Sequence, residues 1–488
     1  MTPEPMKILF LAAEAAPLVK VGGLGDVAGS LPPALRQLPP EVTGGRPLDV
    51  RVVIPFHGEV QQRLPAPEWV TNLLVERASG AVQARVFKVN AGGQVYYLIS
   101  GSPIDQPLPV YSPDDRVNGE KYIFFSLAAL ELARQLNWQP DILHAHDWHT
   151  AIAVYRLCQN RLVDPFFQNT RSLLTIHNLP YLGGDATEIL AEYGIPPTQN
   201  RSLPAWARSF PLPLGLLAAD KISAVSPSYA REILTPEFGC GLQDFLATRQ
   251  QDIHGILNGI DTAAWDPATD PGIPRPYSID TLDLRRANKT TLQEELGLSV
   301  SDDPLLVFIG RMDNQKGVDL AIEGLRKALD LPWQAVFLGT GSALLESAAR
   351  SMESEHPDRF RAVIRFDAAL SRRLYAGGDM LLMPSRYEPC GLAQMIAMRY
   401  GCVPVARATG GLIDSIRDSL PGSPGTGFLF SDTSGGGLEA ALNRAFQAYQ
   451  NADAWQAIQK NGMEQDFSWT RSAIEYAKIY HQMSEDAS

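Results

Sequence analysis

Cysteine is scarce in this chain: Cys158, Cys240, Cys390 and Cys402 are the four in 488 residues, and no two stand in a Cys-x-x-Cys pair. That sparsity excludes a disulfide framework and makes a reducing cytoplasm the expected compartment. Long apolar runs are also missing. Nothing approaches the roughly 20 consecutive apolar residues that a membrane span needs. The run Ile8–Ala13, behind a short polar start, is too brief for a signal-peptide core and reads as a strand. Positive charge is in deficit, with 42 Lys and Arg against 54 Asp and Glu and a formal net charge of −12. This balance argues against a nucleic-acid or anionic-membrane partner, both of which require a basic surface. It leaves room for a phosphate-bearing ligand, which needs only a local cluster of cations.

What is present is an ordinary globular composition, 45% hydrophobic and 20% charged. Single cores rarely grow past roughly 250–300 residues, so two domains are expected. Apolar runs of strand length recur at Ile8–Ala13, Val50–Pro55, Arg85–Val89, Val95–Ile99, Ile142–Ala145, Ser172–Ile176 and Lys221–Val225. They return at Leu305–Ile309, Ala335–Leu338, Ala362–Arg365, Met380–Met383 and Val403–Ala406. Continuous rather than alternating apolarity predicts parallel strands covered on both faces. Phe124–Gln135, Leu344–Ser354 and Leu438–Tyr449 read as helices, and Ser434-Gly435-Gly436-Gly437 reads as a flexible loop before the last of them. Asp261–Asn288 carries Pro267, Pro271, Pro274 and Pro276 without a clear period and reads as the interdomain connection. The expected division is residues 1–260, an N-terminal Rossmann-like domain, and 261–466, a C-terminal one, with 467–488 as a terminal segment. Doubly wound sheets of this kind bind ligands at the carboxyl ends of their strands, and two of them face to face would enclose a cleft.

The candidate chemistry sits in loops at those ends. Lys20-Val21-Gly22-Gly23-Leu24-Gly25-Asp26 follows the first strand, with a helix expected from around Val27. Glycine backbone can approach a phosphate, and a helix N-terminus favours negative charge. The same residues would also make a plain turn with a solvated lysine, and local sequence does not choose. His144-Ala145-His146-Asp147-Trp148-His149 closes another strand. Three histidines beside an aspartate invite a zinc reading, yet no distant His/Cys pair supports it, so no metal is expected. A ligand-binding strand end and a buried, hydrogen-bonded histidine both fit. Thr175-Ile176-His177-Asn178 ends the next strand, where His177 reads as a sugar contact or as a structural histidine. In the second half, Gly310-Arg311 and Gln315-Lys316-Gly317 place a planar cation and a compact one together, as a pyrophosphate leaving group requires. Two solvated loop cations are the plainer alternative. Leu338-Gly339-Thr340-Gly341-Ser342 is a weaker glycine turn. Glu388-Pro389-Cys390-Gly391-Leu392 offers a carboxylate for sugar hydroxyls and a helix start near Gly391, with Cys390 read as a packed thiol. Thr409-Gly410-Gly411-Leu412 is one more turn after a strand.

Taken in order, these motifs resemble those of the bacterial glycogen synthases and plant starch synthases. Val225-Ser226-Pro227-Ser228-Tyr229-Ala230 and Gly255-Ile256-Leu257-Asn258-Gly259-Ile260-Asp261 complete the set, which runs from about Met6 to Trp469. The resemblance implies a GT-B fold: two Rossmann-like doubly wound domains facing across a deep cleft. It implies a last helix, within Arg471–Gln482, that returns to the first domain. It also implies a retaining glucosyltransferase that extends an α-1,4-glucan (glycogen) from ADP-glucose and needs no metal or cofactor. Carried over by position, Asp147, His177, Arg311, Lys316 and Glu388 form the catalytic set. Lys20, Gly22, Gly23, Arg311, Lys316, Phe366, Glu388, Cys390, Gly391, Leu392, Thr409 and Gly410 form the donor-binding set.

There are departures. Pro213 stands where the family has a lysine, Phe366 where it has an adenine-stacking tyrosine, Ala368 where it has a glutamate and Arg372 where it has a histidine. They motivate two alternatives: a catalytically weak glycan- or nucleotide-binding paralogue, and the same reaction with UDP-glucose. A nicotinamide oxidoreductase is remote, because the first loop lacks the G-x-G-x-x-G fingerprint.

Overall fold

The computed structural model describes residues 4–64, 67–106 and 109–485, and the chain divides into two compact units, Met1–Gly259 with Trp469–Ser488, and Ile260–Ser468. Among the described residues the first unit holds nine strands: β1 Met6–Leu11, β2 Leu48–Pro55, β3 Glu68–Val75, β4 Val82–Ala91, β5 Gln94–Gly101, β6 Ile142–His146, β7 Arg171–Ile176, β8 Lys221–Ala224 and β9 Ile253–Gly255. They form one sheet in the order β3-β4-β5-β2-β1-β6-β7-β8-β9. From β5 to β9 the neighbours are parallel. β4, which contains the Arg85–Val89 run expected to be a covered parallel strand, instead runs antiparallel to both β3 and β5. The difference follows from sequence: the inner strands β1 and β6 are buried almost throughout, whereas the first half of β4 alternates buried and exposed, as a half-covered antiparallel strand does.

The second unit holds β10 Leu305–Ile309, β11 Gln334–Gly339, β12 Phe360–Ile364, β13 Met380–Met383, β14 Val403–Arg407 and β15 Phe428–Phe430. The order is β12-β11-β10-β13-β14-β15, parallel throughout. Its core gathers Leu306, Phe308, Trp333, Phe337, Met380, Leu382 and Val405 against Leu325, Leu438 and Phe446 of the flanking helices. In each sheet the strand order reverses beside the first strand of the unit, between β1 and β6 and between β10 and β13. The segments leaving those strands are among those singled out from sequence.

Several local expectations are corrected. The helix after the Lys20 loop begins at Gly23 and runs Gly23–Arg36, so two of the loop glycines, Gly23 and Gly25, lie inside its first turn. Gly435, Gly436 and Gly437 are the first turn of helix Gly435–Tyr449, where the Ser434 hydroxyl caps the Gly437 amide at 3.2 Å. A Cβ on Gly435 would meet the Glu323 side chain at 2.6 Å, so close helix packing accounts for a glycine there. The helix near Gly391 is Ala393–Arg399, and the helix read at Phe124–Gln135 starts earlier, at Asp115. The connection read at Asp261–Asn288 is not structureless. It includes a 3-10 helix, Ile279–Leu284, and the start of helix Arg285–Glu295. Arg372 binds it, donating to the Asp270 carboxylate at 2.8 Å and the Ala264 carbonyl at 2.9 Å while lying over the Trp265 ring. The departure at Arg372 thus has a structural role within its own unit. Pro213 is in the first turn of helix Pro211–Ala218, where a missing N–H breaks no intrahelical bond.

Candidate active site

In the first unit, β1 runs out into Glu14, whose side chain is buried and turned back on the next loop. Its carboxylate accepts the Val21 amide and, at 3.1 Å, the Gly22 amide. Burial pushes the Glu14 carboxyl upward, against the pull of these amides and of the Tyr111 hydroxyl. Lys20 lies on the open side of the loop, half exposed and 2.7 Å from Asp26. The Gly22 amide is therefore already engaged, whereas a Cβ on Gly23 would find open space.

β6 passes into helix Asp147–Asn160 with no intervening loop. Asp147 makes the corner with a φ of +55°, a left-handed conformation that costs a non-glycine residue about 1 kcal/mol. The strain is held by bonds on both sides. The His146 amide donates to the Thr150 hydroxyl at 2.6 Å, and Asp147 Oδ1 accepts the His177 amide at 2.7 Å. Asp147 and His177 are thus brought together at the ends of adjacent strands. Burial lifts the Asp147 carboxyl to about 7 and depresses His177 to about 3. His177 is neutral at neutral pH, and its Nε2 shares a proton with His146 Nδ1 at 2.9 Å.

His144 faces the same side of β6 but has another task. Its ring nitrogens bond Tyr480 of helix Trp469–Glu485 and Thr175 of β7, each at 2.7 Å. With both nitrogens taken, it is a structural histidine. Among the described residues no group of three His, Cys, Asp or Glu side chains is placed to hold a metal ion.

In the second unit, the loops after β10, β13 and β14 interlock. Gly317 has a φ of +68°, and a Cβ there would lie 2.2 Å from the Pro384 carbonyl oxygen. Only glycine allows these two loops to touch. The Arg386 amide donates to the Gln315 carbonyl at 2.8 Å, and the Arg386 guanidinium forks onto Asp319 at 2.9 and 2.7 Å. This contact delivers Lys316 Nζ to within 2.6 Å of Glu388 Oε2, a carboxylate only 6% exposed. Ser385 donates to the same oxygen at 3.0 Å. The Gly411 amide donates to the Glu388 carbonyl at 3.0 Å and stacks the buried Thr409 turn on Cys390-Gly391. Cys390 itself is buried, as a packed thiol would be. Arg311 stays on the rim, 3.1 Å from Gln315 Oε1 and 3.2 Å from Asp313. Phe366, beyond β12, is 90% exposed, a large apolar ring with nothing covering it.

Sequence reasoning passed over Glu14, Tyr111, Ser385 and Arg386 as functional residues. Glu14 alone left a signal, an acid directly beyond the end of a buried strand. The others depend on which loops meet in space.

The buried histidines make acid stability a measurable consequence. Burial holds His57 at about 4 and His177 at about 3, and pushes His144, His146 and His149 well below the usual range. The unfolded chain takes up these protons near pH 6.5, and the native chain does not. Unfolded chains then bind more protons, so stability falls as pH drops below about 6.5, by up to about 1.4 kcal/mol per pH unit for each histidine. Asp147 opposes them with one proton, because it is protonated in the native state up to about 7. Chemical denaturation between pH 7.5 and 5 should show a steep loss of stability, and a flat profile would contradict neutral burial of the cluster.

Residues 7–248 match the starch synthase catalytic domain family, and residues 290–462 match the glycosyl transferases group 1 family. The chain is 37% identical over 496 residues to the glycogen synthase of Desulforudis audaxviator strain MP104C, covering 100% of this chain and 98% of that protein. It is 40% identical over 484 residues to the glycogen synthase of Anaeromyxobacter sp. strain Fw109-5, covering 98% and 100%. Among solved structures, it superposes on the catalytic domain of starch synthase IV from Arabidopsis thaliana, bound to ADP and acarbose. The TM-score is 0.87 at 31% identity, covering 99% of this chain and 100% of that one. The sucrose-phosphate synthase of Thermosynechococcus elongatus shares the fold at a TM-score of 0.59 and 16% identity.

Proposed function

The chain belongs to the glycogen and starch synthase family of GT-B glycosyltransferases, and from that premise we propose that it is a cytoplasmic enzyme that transfers glucose from ADP-glucose to an α-1,4-glucan with retention, releasing ADP. The observation that carries this reading is the Lys316–Glu388 pair, 2.6 Å apart where the strand order of the second sheet reverses. A cation and a hydrogen-bonded carboxylate at such a point suit a ligand with a phosphate end and a hydroxyl-rich end. Lys316 and Arg311 hold the diphosphate and neutralise the charge that grows on it as the glycosidic bond breaks. The turns at Gly391-Leu392 and Thr409-Gly410 donate to its oxygens, with Cys390 packed behind them. Glu388 accepts from the glucosyl hydroxyls, and neutral His177 can donate to them.

Asp147, held at the end of β6, stands near the reacting centre on the acceptor side. Lys20 contributes a further cation to the donor phosphate and Gly23 an open backbone, while the Gly22 amide is held by Glu14. The exposed Phe366 ring is available to stack on the adenine. The intact cation and carboxylate set favours an active enzyme over a silent binding paralogue. The test is incorporation of labelled glucose into glycogen by the purified protein. ADP-glucose should support turnover. Activity with UDP-glucose alone would transfer the reading to that donor, and no incorporation from either would sink it.

A further inference from the structure

The Lys20 loop has the composition of an anion cradle, yet its first two amides already hold an anion supplied by the chain itself. Glu14 is buried directly beyond β1, and its two carboxylate oxygens take the amides of Val21 and Gly22. A Cβ added to Gly22 would lie 3.4 Å from Glu14 Oε1, so the loop backbone rests on the carboxylate. The Tyr111 hydroxyl is near enough to favour the charged form of Glu14. The residue before Tyr111 is anchored as well. The buried Lys121 ammonium donates to the Val110 carbonyl at 2.8 Å and the Pro109 carbonyl at 3.0 Å, and the Tyr122 hydroxyl donates to Val110 at 2.6 Å. Helix Asp115–Gln135 thus anchors the residue before Tyr111, and Glu14 holds the Lys20 loop. The ends of the loop are tied by the Val19 amide to the Ala15 carbonyl at 3.0 Å and the Ala16 amide to the Gly25 carbonyl at 2.9 Å, and Glu14 holds its middle. Val21 is exposed, a Cβ on Gly23 would find open space, and Lys20 pairs with Asp26 at 2.7 Å.

We infer that Glu14 is a positioning residue for the transfer reaction: its carboxylate holds Val21 and Gly22 so that Lys20 faces the donor phosphate. This rests on the reading of Lys20 as a donor contact. Two consequences separate it from a general packing role. The Val21 and Gly22 amides are not themselves phosphate donors, because Glu14 occupies them. And Glu14 acts only through the loop, so its contribution disappears once Lys20 is removed.

The experiment is a double-variant cycle on the full chain with Lys20→Ala, Glu14→Gln and the pair together, reading the donor KM, the glucan KM and kcat separately. Glutamine keeps the shape but replaces one accepting oxygen with an amide that cannot accept. Glu14→Gln is expected to lower kcat/KM for the donor about tenfold with the glucan KM unchanged, and to have almost no effect in the Lys20→Ala background. Tyr111→Phe should produce a smaller loss of the same kind. Melting temperature and amide exchange at Val21 and Gly22 check the fold. Faster exchange confined to the loop is expected, and global unfolding moves the cycle to Tyr111→Phe with Lys20→Ala. Multiplicative losses from Glu14→Gln and Lys20→Ala, or a change in the glucan KM alone, would overturn the positioning role. Unaltered donor kinetics in Lys20→Ala would instead refute the donor contact on which it stands.

Discussion

Replacing Lys316 by alanine is expected to lower kcat by about 10²–10³-fold, the usual cost of removing one preorganised group from a developing negative charge. The glucan KM should change little. Lys316 reaches Glu388 at 2.6 Å, so its ammonium is fixed by a carboxylate of the chain itself. The Asp313 carboxylate accepts the Lys316 amide at 2.9 Å, and Gly317 locks the following turn against Pro384. A cation fixed this way needs no reorganisation as the diphosphate departs, and that is why the loss should fall on kcat. Lys316→Arg should not restore the rate. A planar guanidinium does not fit a site built around one ammonium–carboxylate contact. Steady-state kinetics on both substrates decide the point. An unaltered kcat in Lys316→Ala removes this residue from the transition state, and an equal rise in KM alone reduces it to a binding contact.

The second large effect concerns stability. Asp379→Ala should destabilise the chain by about 3–5 kcal/mol, the cost of leaving buried charges without their partner. Asp379 lies just before β13, at the opposite end of that strand from the Glu388 loop. Its carboxylate receives Lys289 at 2.7 Å, Arg285 at 3.4 Å and the Leu305 amide at 2.9 Å. All three ionic side chains are under 9% exposed. One carboxylate thus serves two buried cations and the first amide of β10. Asp379→Asn keeps the amide bond but still strands the cations, so it should recover only part of the loss. Urea unfolding measures both variants. At a temperature where Asp379→Asn remains folded, its donor KM should equal that of the unaltered chain, because the pair is remote from Lys316. A stability change under 1 kcal/mol for Asp379→Ala would show that Arg285 and Lys289 are satisfied by the Tyr400 and Asp303 carbonyls alone.

The sheets were legible because buried parallel strands leave a local mark. Leu305–Ile309 and Met380–Met383 are continuous apolar runs, and both are strands with those limits. The strands passed over lack that mark. Glu68–Val75 is an exposed edge strand, and Ile253–Gly255 and Phe428–Phe430 are three residues each. Glycine misled where it was read only as flexibility. Gly435 sits in a helix, where a Cβ would meet the Glu323 side chain at 2.6 Å. Arg372 showed the converse error. A charged residue that breaks a motif suggested altered substrate binding, and it is bound to Asp270 in its own unit.

By itself the sequence determined that each half is built around covered parallel strands, gave the expectation that ligand chemistry lies at the carboxyl ends of β1, β6, β7, β10, β13 and β14, and told which family the ordered motifs belong to. These follow from hydrophobic periodicity and from short runs of specific residues, which are local properties. Only the tertiary structure decided that Lys316 rests on Glu388, that Asp147 is strained and held by the His177 amide, that His144 is structural, and that Glu14 fills the first amides of the Lys20 loop. Each of these is a contact between side chains or backbone groups from different loops, and in several of them the partners are far apart in the chain. Burial then sets their charge, and burial is a property of the folded neighbourhood that no stretch of sequence carries alone.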